Sequence, residues 1–277
     1  MSVAIVADSA ANLPPALASE LGIEVVPMYL KFGDQVFRDG VDMTPADFYE
    51  RLVTDGVAAS TSTPSPGDYL AAYERTGRGE IVCVTVASSM SSSHQQASLA
   101  AERFAGDVEV VDSKSAAMAE GFVAVEAARA AAGPSSLNEV AARAREVSAL
   151  TRLYATVDTF EFLRKSGRVT KLQAYAATML DIKPVFEFKD GEAIPVSRSR
   201  TKRKALTRIV EDAVAEMGNR PVHLAALHAA ALGEAEDVAE RIADRANVVE
   251  KVVTEVTPVI GAHTGPGLVG VAFFREA

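Results

Sequence analysis

Short apolar, β-branched runs alternate with helical patterns over roughly the first 130 residues. Val3–Ala7 reads as a buried strand, and Pro14–Leu21 as a short helix with proline near its start and Gly22 near its end. Ile23–Phe32 and Gln35–Arg38 flank Gly33-Asp34 and predict a hairpin. Thr44-Pro45 opens a helix that runs to about Thr54, and Ser65-Pro66 opens another with serine as its N-cap. Ile81–Val86 is nearly all apolar, the pattern of a strand covered on both faces of a parallel sheet. Ser91–Phe104 follows as a helix and Val108–Val111 as the next strand. Ala-rich helices at about 115–132 and 137–149 end this half.

The rhythm then changes. Leu153–Val157 predicts a strand, and two short helices flank Ser166-Gly167-Arg168. Pro184–Lys189 and Glu192–Arg198 enclose Asp190-Gly191, a strong hairpin signal. A helix at 201–217 precedes the strand Val222–Leu227. A helix at 233–246 precedes Val248–Val256, and the chain closes on Gly267–Phe274. The expected fold class is α/β: a mostly parallel N-terminal α/β domain, residues 1–150, joined to a C-terminal α+β domain, residues 151–277, with a largely antiparallel sheet.

A length of 277 residues with 48% apolar positions suits two such domains and a large core. The 28 basic and 37 acidic residues give a net charge of −9, which repels nucleic-acid phosphate and anionic membranes at long range. Cys83 sits in an apolar run and reads as a small buried hydrophobe, and His94, His223 and His228 read as structural or solvated. The amino-terminal run is broken by Asp8, and no apolar stretch approaches the ~18 residues of a membrane span. A cytoplasmic protein without an integral membrane segment is expected.

Cofactor signatures are missing: no Walker loop, no dinucleotide GxGxxG, no GxSxG elbow, no HExxH, and no CxxC for zinc. Neither a cofactor nor a metal is expected. Hydroxyl side chains instead crowd two helix-opening loops, Ser60–Ser65 and Ser88–Ser93. Such loops either cap helices or, with free backbone N–H groups, bind a carboxylate or phosphate. Gly261–Gly267 displays His263 in a glycine-framed loop, as a satisfied surface residue or as part of a site. Basic residues gather at Arg164–Arg168 and Arg198–Lys204, either a solvated face or a docking surface for a phosphate-handling partner.

Taken in order and spacing, several of these segments resemble the DegV family, the fatty-acid-binding subunit of bacterial fatty acid kinase. Asp8–Pro14 is similar to DSTADLP, Thr61–Pro66 to TSQPSP, Met90–His94 to LSGTY and Ser166–Arg168 to GGR. Lys183-Pro184 with the Asp190-Gly191 hairpin, Arg200–Leu206 and Gly261–Gly267 extend the likeness nearly end to end. Ser92 and Ser166 stand where the family pattern has glycine, and Thr63 where it has glutamine. The resemblance implies a carrier, not an enzyme, that buries a long-chain fatty acid between its domains. It implies that Thr61, Ser91 and His263 hold the carboxylate, with Ser62 and Ser92 close by. Arg168 and Arg200 would face a separate kinase that brings ATP and makes the acyl phosphate. Two other readings stand beside it: a serine hydrolase or acyltransferase using Ser91 with His263 as base, and an adaptor that binds only protein through its basic patch.

Overall fold

The computed structural model describes residues 3–54, 59–169 and 182–276. Among these residues the chain forms three sheets. The first is parallel, in the order β2 (Ile23–Val26), β1 (Ala4–Asp8), β6 (Glu80–Thr85), β7 (Asp107–Asp112). In β6 Ile81, Val82, Cys83 and Val84 are fully buried, as the unbroken apolar run predicts for a strand covered on both faces. Burial also pushes the Cys83 thiol up to about 12, which leaves it an inert packing group.

A small antiparallel sheet, β4 (Gln35–Arg38), β3 (Tyr29–Phe32), β5 (Ser60–Ser62), sits beside the parallel one with α2 (Pro45–Thr54). The expected strand 23–32 is therefore two strands. Pro27 has no N–H to give a ladder, and the chain leaves the parallel sheet there to pair with β4 in the expected Gly33-Asp34 hairpin.

The third sheet runs β10 (Glu192–Ser199), β9 (Lys183–Lys189), β8 (Arg152–Thr156), β13 (Val269–Arg275), β11 (Val222–His228), β12 (Val248–Glu255). All its pairings are antiparallel except β11 with β12. One face carries α8 (Lys202–Met217) and α9 (Leu232–Ala243), whose Leu206, Ile209, Val238 and Ile242 pack on Leu224, Val271 and Phe273. The other face turns Leu153, Ala155, Phe186, Phe188 and Leu227 toward the parallel half.

Helix α5 (Met118–Ala131) fills the space between the two large sheets. It is apolar almost all round, so it is buried on nearly every side up to Arg129 near its end. Its small side chains let it approach both layers: a Cβ on Gly121 would come within 2.7 Å of the Ala11 carbonyl. Next to it, α6 (Leu137–Leu150) opens with a Ser136–Glu139 capping box and buries Val140, Ala144 and Val147. One continuous apolar core thus joins both halves. At its edge Arg129 grips Glu250 through two 2.9 Å bonds, and Glu250 accepts from His223 at 2.6 Å. His223 is stacked on Phe274 and bonded at its other nitrogen to Glu276, a structural role. The second short helix expected after Gly167 lies outside the described residues.

Candidate functional site

The segment Asp8–Asn12 does not itself reach the cavity with polar groups; it fixes the elements that do. Asp8, fully buried, accepts the Ala10 N–H at 3.0 Å and the Val86 N–H at 3.1 Å, clasping the carboxyl ends of β1 and β6. Burial raises its pKa to about 6. Ser9 takes the Met28 N–H and donates to Asp39 at 2.6 Å. Asp39, also buried and also raised to about 6 by burial, accepts the Val259 N–H at 3.1 Å. Asn12 accepts the Thr257 N–H at 2.6 Å. Both of the last two bonds seize the first turn of α10 (Pro258–Thr264) from the opposite half of the chain.

That helix carries His263 in its last turn, so the expected glycine-framed loop is a short helix with a glycine exit. Gly265 ends it at φ +71, and a Cβ there would run into the Phe162 ring. A side chain at 265 would separate α10 from α7 (Glu161–Ser166), which leads into Arg168.

Thr61 meets His263 directly, and Ser91 lines the same cavity. Thr61, held by the pairing of β5 with β3, places its Oγ1 2.8 Å from His263 Nε2. Ser91 lies in the turn before α4 (Ser93–Ala101) rather than within the expected helix from 91. Its Oγ accepts the Ser93 N–H at 3.2 Å and lies 3.0 Å from the Ser93 hydroxyl. Ser92 and Thr63 hydroxyls are 3.3 Å apart. Ser92 adopts φ −80 and ψ 9, so the Cβ it carries in place of a glycine is unstrained.

Thr61, Ser62, Ser91, Ser92 and His263 all line one cavity of about 420 Å³, within the ~300–1,000 Å³ usual for small-molecule sites. Its remaining wall is mostly apolar, from both halves, with Met28, Met90, Leu153, Phe186, Leu227 and Leu268 among others, and adds the polar Thr63, Ser166, Arg168 and Thr264. Pattern reasoning missed the apolar residues because each reads as ordinary core.

The sequence separated the Arg164–Arg168 cluster from the hydroxyl loops, but Arg168 lines the same cavity as His263. It is exposed as a residue, yet the packing around its guanidinium lowers its pKa, and it donates to the Ser166 carbonyl at 2.8 Å. Among the described residues no carboxylate forms a salt bridge with it. Its charge reaches His263: burial first and Arg168 second lower that imidazole to about 4, so it is neutral at pH 7. The signal was present in Ser166-Gly167, since Gly167 at φ +70 ends α7 and turns the next residue back. Arg200 stands apart from this site, exposed in the bend between β10 and α8. Among the described residues no His, Cys, Asp and Glu cluster could hold a metal ion, and no helix is long and apolar enough to cross a membrane.

A two-domain α/β fold with a mostly apolar cavity lined from both halves defines the class. A family model described as "Uncharacterised protein, DegV family" matches residues 2–276, and the chain belongs to that family. A DegV domain-containing protein of Streptomyces coelicolor is 36% identical, with 97% of each chain covered. Two solved structures cover 100% of this chain and of their own. A DegV family protein from Thermus thermophilus, described by its fatty acid binding, has a TM-score of 0.94 at 30% identity. DegV from Bacillus subtilis, described as a fatty acid binding protein, has a TM-score of 0.90 at 27% identity.

Proposed function

We propose that this protein is a fatty-acid carrier, divided near residue 150, that holds one long-chain acid in the cavity between its halves and presents the carboxylate to a separate ATP-dependent kinase. The observation that carries the reading is the cavity itself: mostly apolar, with Thr61, Ser91, His263 and Arg168 in its wall. The DegV relatives described as fatty acid binding support it.

Chemically, a carboxylate leaving water needs several donors, because an unpaired buried charge costs several kcal/mol. The Ser91 hydroxyl and the one proton that the bonded pair of Thr61 and a neutral His263 leaves free supply them, with Ser62 and Ser92 beside. Arg168 supplies the opposite charge, a role in lipid binding beside its expected one at the kinase surface. Arg200 and the exposed cations of the adjoining groove, Arg203 and Lys204, remain the surface for the kinase.

A hydrolase needs Ser91 bonded to His263. Instead Ser91 pairs with Ser93 and His263 with Thr61, which favours the carrier. Native mass spectrometry of the purified protein tests the reading. A bound long-chain fatty acid, or uptake of added palmitate, is the expected result. No bound lipid and no uptake refutes it.

A further inference from the structure

Phe188 borders two spaces at once. On one side is the apolar cavity; on the other is a polar cleft of about 450 Å³ lined by Asp112, Lys114, Arg145, Arg152 and Lys189. The ring is 6% exposed. Its strand is fastened just beyond it: Gly191 N–H donates to the Lys114 carbonyl at 2.8 Å, and the Ser89 hydroxyl donates to the Gly191 carbonyl. The turn cannot swell, because a Cβ on Gly191, at φ +80, would come within 2.7 Å of the Ser89 hydroxyl.

Register places this ring away from His263 and Arg168. Phe188 pairs with Leu153 at the start of β8, and Val269 pairs with Thr156 at its end. The chain leaves that second end toward Arg168, and reaches it from His263. Three residues of strand, at ~3.3 Å each, separate the two ends by about 10 Å.

We propose that Phe188 is the stop that limits the length of the bound acyl chain, walling the apolar cavity off from the polar cleft. This rests on the fatty-acid reading above. In the wild type each added methylene raises affinity about four-fold, the equivalent of ~0.8 kcal/mol, until the chain reaches the ring. Beyond that length the gain stops or reverses. Shortening residue 188 moves the stop outward.

The test is displacement of a fluorescent fatty acid by saturated acids of graded length on wild type, Phe188→Ala and Phe188→Leu. The expected result is an optimum at longer chains in Phe188→Ala, with Phe188→Leu between it and wild type. Phe188→Leu keeps most of the core volume, so it reads the effect even if the alanine variant folds poorly. Wild type that binds acids while both variants, or the leucine variant where alanine fails to fold, keep its length optimum overturns the stop. Wild type that binds no acid of any length overturns the fatty-acid reading itself, and the stop with it.

Discussion

Replacing Thr61 with valine keeps the β-branched shape and removes one hydroxyl. In the free protein this costs the 2.8 Å bond to His263 Nε2, about 0.5–1.5 kcal/mol at a half-buried position. The larger effect falls on the proposed ligand. A donor lost to a charged head group costs ~1.5–3 kcal/mol, about ten- to a hundred-fold in affinity. The tail is untouched: fourteen methylenes at ~0.8 kcal/mol each contribute about 11 kcal/mol before ordering costs. Thr61→Val should therefore weaken palmitate binding without abolishing it, and Thr61→Ser should restore most of the loss. Isothermal titration against palmitate and its uncharged methyl ester separates the two contributions. The valine variant should lose affinity for the acid and little for the ester. An equal loss for both ligands, or none for either, would refute a Thr61–carboxylate bond.

Arg168→Gln should weaken palmitate binding about ten-fold or more and raise the His263 pKa from about 4, because the neighbouring charge is one of its two depressing causes; an imidazole NMR titration unchanged by the substitution would contradict the placement. His263→Gln tests linkage. The unfolded histidine takes up its proton near 6.5 and the folded one only near 4, so wild-type stability is lost as pH falls between those values. Urea melts at pH 7.5 and 5.0 should show the variant losing less than wild type across that interval; equal losses would count against a buried neutral imidazole. Asp39→Asn should destabilise the protein by about 1–3 kcal/mol at pH 7, through the loss of charge-assisted bonds to Ser9 and the Val259 N–H. Because burial raises the folded Asp39 pKa from 3.8 to about 6, wild-type stability falls as pH rises between those values, so urea melts should show a larger deficit near pH 4 than at pH 7 and no further change from pH 7 to 8. Arg200→Ala should leave palmitate affinity unchanged and weaken coupling to the kinase most at low salt; weakened lipid binding would place Arg200 in the wrong role.

Local sequence determined much of this molecule. Serine caps at 65 and 136, the apolar run of β6 and the Asp190-Gly191 turn each carry their own short-range cause, and each element forms where its pattern lies. Residue type alone left the hydroxyl loops as caps or an anion site and His263 as a surface residue or part of a site; the family resemblance singled out Thr61, Ser91 and His263. Their meeting was not legible. It depends on Asn12 and Asp39 holding α10 across the halves, more than 200 residues apart in sequence, through bonds that no periodicity encodes. The place of Arg168 was decided the same way: a cation in a basic run reads as surface until the fold closes a cavity beside it. Phe186, Phe188 and Leu227 look like core because they are core, and only the unfilled space between two packed layers makes them a wall. Side-chain type follows from the sequence; the space left between layers exists only once both layers are packed.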